Sequence, residues 1–147
     1  MKWDFKKFED LTVRELYAFL RLRSLIFHLE QNCAYVDLDN KDQASIHVLG
    51  WDNNELAAYA RIVPAGIAFN ELSIGRVVTA PAFRGKGLGK ELMKISLEEI
   101  RKNNGAIPVR IGAQCYLNKF YGEFGFITDG NEYLEDNIPH IEMIRNG

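Results

Sequence analysis

Residues 72–89 constrain this chain more than any other stretch. A β-branched run, Leu-Ser-Ile-Gly-Arg-Val-Val-Thr, gives way to Ala-Pro-Ala-Phe and then to Arg84, Gly85, Lys86, Gly87, Leu88 and Gly89, after which apolar residues recur at helical spacing. Strand, glycine loop and helix in that order form an anion-binding arrangement. Residues without a Cβ let backbone N–H groups converge, and the helix behind them adds unsatisfied donors and the positive end of its dipole. Arg84, Lys86 and Lys90 bring positive charge to the same place. Spacing narrows the phosphate ligand. A Walker loop needs four residues between its glycines and a hydroxyl after its lysine; here Gly85 and Gly89 enclose three, and Glu91 follows Lys90. A nucleotide-binding switch protein would therefore lack its magnesium ligand. The dinucleotide fingerprint fails as well, because Gly85, Gly87 and Gly89 give G-x-G-x-G and not G-x-G-x-x-G.

With 147 residues, 47% of them apolar, the chain is expected to form one domain over residues 1–147 with a substantial core. A net charge of −2 argues against nucleic acid as a partner, since a duplex binder shows a basic excess. The basic residues at the loop are better read as serving one small anion. No apolar run approaches ~18 residues, so no membrane span is expected. The amino-terminal Met-Lys-Trp-Asp-Phe-Lys-Lys has no apolar signal core, and the expected location is cytoplasmic. Cys33 and Cys115 make no disulfide framework and lie at no metal-ligand spacing to His or Cys, so no metal site is expected. Oligomeric state stays open.

Along the chain, residues 2–8 alternate as a strand with Trp3 and Phe5 on one face. Thr12-Val-Arg-Glu15 is a capping box, and the helix it starts is expected to reach Phe27. Residues 30–42 turn acidic, with Glu30, Asp37, Asp39 and Asp42 against Lys41; they form either a solvated loop or a binding loop suited to a cationic amine. Residues 44–50 and 56–64 read as a hairpin turning through Asp52, Asn53 and Asn54. Gly75 inside the next strand suggests a bulge or a close backbone approach. Residues 87–103 form a helix whose apolar arc carries Gly89 and Ser96 along its middle, which lets it lie close to a sheet. A strand over 108–113, a short helix over 114–124, a strand from Gly125, a turn-rich stretch over 128–139 and a closing strand over 140–145 complete an α/β (α+β) chain of about seven strands.

Arg84-x-x-Gly87-x-Gly89 resembles the R/Q-x-x-G-x-G/A signature of the GNAT family of N-acetyltransferases, whose loop holds the pyrophosphate of acetyl-CoA. Phe120-Tyr121-Gly122-Glu123-Phe124-Gly125-Phe126 resembles that family's F-Y-x-x-x-G-F segment. Arg23 to Phe27, Glu30-Gln31-Asn-Cys33-Ala-Tyr35, Asp37-Leu-Asp39, Asp42 and the run from Tyr133 to His140 resemble the ElaA-like branch. Ala34 stands where that branch often has proline, and Asn40 and Asn137 where it has glycine. The resemblance implies a mostly antiparallel sheet flanked by helices, with the fourth and fifth strands splayed around a pantetheine arm. Backbone groups of Val77, Val78 and Thr79 would pair with that arm, N–H groups from Arg84 through Gly85, Lys86, Gly87 and Leu88 to Gly89, with Lys90, would hold the pyrophosphate, and Asn118 would contact coenzyme A.

The implied reaction is acetyl transfer from acetyl-CoA to a primary amine of a small molecule or peptide, directly within a ternary complex. Its oxyanion donor would be the Val78 N–H and its acid Tyr121, which in the family can point at the thioester sulfur. The base stays open among Glu71, Glu30 and His140, and Glu30, Gln31, Asp37 and Asp39 are the candidate acceptor contacts. An acyl-enzyme on Cys115 is the weaker route, because no histidine neighbours it in sequence. A non-catalytic acyl-CoA-binding module with the same fold is the alternative from another class.

Overall fold

The computed structural model describes residues 1–33 and 35–147, and Ala34 lies outside them. Among the described residues the elements are β1 (Lys2–Lys7), α1 (Val13–Arg23), β2 (Ile46–Asp52), β3 (Glu55–Val63), β4 (Ser73–Thr79), α2 (Leu88–Asn104), β5 (Val109–Gln114), α3 (Asn118–Gly122), β6 (Ile127–Thr128), β7 (Tyr133–Glu135) and β8 (Ile138–Arg145). They form one antiparallel sheet in the order β1-β2-β3-β4 and a second in the order β5-β8-β6, with β7 also on β8. The two sheets meet where Leu72 and Val109 make a parallel bridge and the Arg110 N–H donates to the Leu72 carbonyl at 2.9 Å. Past that point β4 and β5 separate, which is the splayed α/β architecture that the family resemblance implies.

The capping box holds α1 as anticipated: Thr12 Oγ1 accepts from the Glu15 N–H at 3.1 Å, and Glu15 Oε1 accepts from the Thr12 N–H at 2.8 Å. The helix differs at its other end. Ordinary α-helix stops at Arg23, and Ser24–Glu30 continues as a π-helix. Its wider turns close through Gln31 N–H to Ile26 O at 2.9 Å and Cys33 N–H to Phe27 O at 2.8 Å.

Each face of the first sheet is covered. Phe19, Leu22 and Ile26 pack on Leu49, Tyr59 and Val78 on one side, whereas Leu88, Leu92, Met93 and Ile100 pack on Val48, Ala60 and Ile74 on the other. Ser96 is fully buried in the middle of the α2 arc and returns its hydroxyl to the Leu92 carbonyl at 2.7 Å, so a polar residue sits against the sheet without an orphaned donor. Burying each large apolar side chain contributes ~1.5–3 kcal/mol, and α2 is pinned accordingly.

The chain has one strand more than its patterning suggests. Residues 128–139 contain β7, which pairs with β8 through a two-residue turn at Asp136 and Asn137, both at positive φ (51° and 63°). Three residues flanked by polar neighbours carry too little periodicity to be seen in advance. The expected irregularity near Gly75 lies one residue on, at Arg76 and Val77.

Beneath α1, His47 is completely buried: Nε2–H donates to the Asp42 carbonyl at 2.9 Å, and Nδ1 accepts from the Tyr59 hydroxyl at 2.6 Å. Burial holds the imidazole pKa below its ordinary value. Unfolded, the ring protonates near pH ~6.5; folded, it resists, so this residue contributes stability that is present above ~6.5 and is lost as pH falls. The midpoint of urea unfolding is expected to drop on going from about pH 7.5 to about 5.5, and the drop is expected to shrink in His47→Gln. Equal slopes in the two proteins would show that another group governs the transition.

Candidate active site

The β4 backbone is shaped before any side chain is considered. Ala57 accepts from the Ala80 N–H at 2.8 Å, so antiparallel alternation makes Tyr59 and Val78 the next pair to exchange hydrogen bonds. That turns the Val78 N–H toward β3 and leaves those of Val77 and Thr79 facing the split. The register then slips, with Arg61 opposite Gly75, so that Ala60 faces both Arg76 and Val77. This bulge sets Arg76 at φ 52°, a left-handed conformation that costs a non-glycine residue about 1–3 kcal/mol.

After β4 the chain enters the glycine loop. Gly85 and Gly87 have φ of 78° and 73°, and nothing lies within 4 Å of where a Cβ would stand on either. Gly87 caps α2 without any side-chain hydrogen bond. The first intrahelical bond runs from the Glu91 N–H to the Gly87 carbonyl at 3.2 Å, so the N–H groups of Leu88, Gly89 and Lys90 have no helical acceptor. Arg84 sits beside them in a two-pronged ion pair with Glu30 at 2.9 and 2.7 Å. Lys86 lies over the Phe83 ring at 5.5 Å, while Lys90 leans away to Glu123 at 3.2 Å.

A cavity of ≈ 460 Å³ fills the split, lined by Val77, Thr79, Arg84, Gln114, Tyr121 and His140 among others. Glu30 and Gln31, at the end of the π-helix, span its mouth, and Gln31 Oε1 accepts from Gln114 Nε2 of β5 at 3.0 Å. Tyr121 is 8% exposed, and burial, with a smaller push from Tyr116, drives its phenol up to about 12. His140 is held by its Nδ1–H donating to the Ile138 carbonyl at 2.7 Å and by stacking on Tyr133. Its Nε2 faces Glu135 at 3.3 Å. A second cavity of ≈ 380 Å³ shares Tyr35, Gly75, Arg76, Gly112, Glu135 and Asp136 with the first.

The acidic loop is engaged by arginines. Arg23 donates to Asp37 at 2.8 Å and to Asp42 at 2.7 Å; Arg61 donates to Asp39 at 2.6 and 2.8 Å and to Asp42 at 3.0 Å; Arg76 donates to Asp37 at 2.8 Å and to Asp39 at 3.3 Å. Burial alone would raise Asp39 and Asp42, yet hydrogen bonds and charge from these arginines hold both well below the usual carboxylate range. Removing one member of such a buried set costs about 3–5 kcal/mol.

A sequence profile of the Acetyltransferase (GNAT) domain matches residues 25–146. The chain belongs to the GNAT family. Within it the protein is ElaA-like: it is 43% identical to Protein ElaA of Escherichia coli K12, over 99% of this chain and 96% of that one. The crystal structure of E. coli ElaA superposes with a TM-score of 0.92 at 42% identity, covering 99% and 100% of the two chains. That of an acyl-CoA N-acyltransferase from Pseudomonas aeruginosa does so at 0.93 and 40%, covering 98% of each. An aminoglycoside 6'-N-acetyltransferase complexed with coenzyme A shares the fold at 16% identity, TM-score 0.67, over 97% and 96% of the chains.

Against the GNAT motifs, several residues change place. Glu71 lies outside the cavity: it pairs with Arg110 at 3.0 and 3.1 Å at the closed end of the split, and that hydrogen bond lowers its pKa. Asp37 and Asp39 are each paired with two arginines, Arg23 and Arg76 for the first, Arg61 and Arg76 for the second. The Val78 N–H is turned to β3, and the Val77 N–H faces the split. The carboxylates that do line both cavities are Glu135 and Asp136, beside a turn whose sequence had little periodicity. Arg76 gives no signal in the sequence, because a lone arginine in a strand has nothing to mark it. Among the described residues no cluster of three or more metal-ligating side chains is found, and no helix is long and apolar enough to cross a membrane.

The Tyr121 phenol is expected to stay protonated through the range in which exposed tyrosines ionise. Ultraviolet titration of Tyr121→Phe should match the wild-type curve between about pH 9 and about 11; loss of a tyrosinate component there would place its pKa in the ordinary range.

Proposed function

We propose that the protein is an N-acetyltransferase that moves the acetyl group of acetyl-CoA directly to a primary amine. The observation that carries this reading is that one cavity, in the split between two parallel strands, is lined by split-facing β4 backbone, a buried phenol and a fixed imidazole, with Arg84 of the loop before the open N-terminus of α2 also on its lining. The residues fit coenzyme A. Leu88, Gly89 and Lys90 offer N–H donors to a pyrophosphate, with Arg84 and Lys86 for charge, and the left-handed Gly85 and Gly87 leave room for its approach. Val77 and Thr79 would pair with pantetheine amides as a strand does. Asn118 Oδ1, buried without a hydrogen-bond partner among the described residues, is an acceptor available to the same ligand.

In this reading each protein group has one task. The His140 Nδ1–H is committed to Ile138, which leaves Nε2 to take a proton from the incoming ammonium, with Glu135 to steady the imidazolium. The Val77 N–H receives the charge that develops on the carbonyl oxygen. As the C–S bond breaks, Tyr121, kept protonated by burial, gives its proton to the departing thiolate, and the second N–H proton, shed by the newly acylated nitrogen, restores the phenol. Direct transfer is favoured over an acyl-enzyme because both thiols are raised, Cys33 by burial and nearby Asp136 and Glu135, Cys115 by burial and Glu132. Glu135 and Asp136, with Glu30 and Gln31 at the mouth, suit an acceptor that carries positive charge. The same loop without turnover would make a binding module, a reading that no feature of the cavity favours.

Thiol release from acetyl-CoA across polyamines, amino acids, aminoglycosides and peptides, with mass spectrometry of the product, tests the reading; acetyl-CoA binding with no thiol release from any amine would instead identify the module. His140→Gln is expected to lower kcat about 10²–10⁴-fold with acetyl-CoA affinity retained. An unchanged kcat in a folded His140→Gln protein would remove the histidine from the mechanism.

A further inference from the structure

Six non-glycine residues among those described adopt positive φ, and five of them are Asn32, Asn40, Asn53, Asp136 and Asn137. Asparagine and aspartate tolerate that region because their short side chains bond locally; arginine has no such allowance. Arg76 is the sixth, at φ 52°, and it occupies the bulge that turns Val77 into the cavity. Something outside the backbone must hold it there.

The side chain supplies the hold. Nε donates to Asp37 Oδ1 at 2.8 Å, and one terminal nitrogen donates to the Asp37 carbonyl at 3.2 Å and to Asp39 Oδ2 at 3.3 Å. The guanidinium also lies over the rings of Phe27 and Tyr35, at 5.8 and 5.1 Å. Its two carboxylates are themselves immobile: Asp37 is gripped by fully buried Arg23 of α1, and Asp39 by Arg61 of β3, the residue opposite Gly75. Three arginines and three aspartates thus link α1, the loop after the π-helix, β3 and the bulge in one network, with Lys41 at its edge 3.9 Å from Asp39.

We propose that Arg76 is a positioning residue for the transfer reaction: clamped by Asp37 and Asp39, it keeps the strained β4 bulge in place and thereby aims the Val77 N–H into the split. This rests on the transferase reading for its kinetic consequence, though the clamp itself can be read without turnover. A bulge that relaxed to regular register would move the Val77 amide by one strand position. The pyrophosphate loop, eight residues further on at Arg84, would be untouched. Arg76 therefore governs the chemical step more than cofactor capture, in contrast to a residue that merely stabilises the fold.

The test uses the full chain with three substitutions. Arg76→Gly removes the clamp while relieving backbone strain, Arg76→Lys keeps the charge without the planar fork, and Thr12→Ala lowers stability at the distant start of α1 as a control. Arg76→Gly is expected to unfold cooperatively, to keep the KM for acetyl-CoA within about threefold, and to lose about tenfold or more in kcat, as small misplacements of a reacting group do. Arg76→Lys should fall between it and the wild type, and Thr12→Ala should retain kcat. Amide hydrogen exchange, followed by NMR at Val78, whose N–H is bonded to β3 beside the bulge, should accelerate by about tenfold or more in Arg76→Gly whether or not the protein turns over. A folded Arg76→Gly protein with kcat within about twofold of wild type overturns the proposal, as does unchanged exchange at Val78. Should Arg76→Gly not fold, the same criteria apply to Arg76→Lys. A wild-type chain that acetylates no amine overturns the transferase reading alone, and the exchange comparison then decides the clamp.

Discussion

The structure depends on two parallel strands that touch at one end and part at the other. Where β4 meets β5, the Leu72 carbonyl and Arg110 N–H still bond, and Arg110 adds ion pairs to Glu71, Asp129 and Glu142 that close the joint. Beyond it each strand presents an unpaired edge to the same cavity. Unpaired edges in a sheet interior are costly unless something else satisfies them, so the parting of β4 from β5 defines a slot for an extended polar ligand before any catalytic group is named. The second sheet keeps its shape without β4 because β8 runs down its middle, paired to β5, β6 and β7.

Around that slot the protein divides its charges by task. Arginines 23, 61 and 76 and aspartates 37, 39 and 42 neutralise one another in the interior, where an unpaired charge would be expensive. The acidic groups left to face the cavity are those at its rim, Glu135 and Asp136, with Glu30 paired across the mouth to Arg84. An acidic loop in a sequence therefore says little about ligand charge until its counter-ions are known. Here those counter-ions lie 14 to 39 residues away along the chain.

Local features could be read in advance because their causes are local. The capping box at Thr12 and Glu15, the hairpin turn at Asn53, the left-handed glycines before α2 and the apolar arc with Ser96 all follow from neighbours within a few residues. The π-helix after Arg23 and the strand β7 were not legible, the first because it interrupts a pattern that reads as plain helix, the second because three residues hold no period. Among the site residues, Tyr121 and His140 do reach one cavity, whereas Glu71 lies outside it and Asp37 and Asp39 are taken by arginine.

A glycine loop between a strand and a helix exposes backbone donors to an anion whatever the rest of the chain does, since absent side chains and helix ends act at the scale of a single turn, and this much could be read along the chain. So could an aromatic helix with Tyr121 after the fifth strand. Which amide of β4 points into the split was decided only by tertiary structure, because a one-residue bulge reverses the direction of every group beyond it and that bulge is held by partners far away in sequence. The same holds for the placement of His140 and Glu71: both are ordinary polar residues along the chain, and only the splaying of two strands sets one inside the cavity and the other at its hinge.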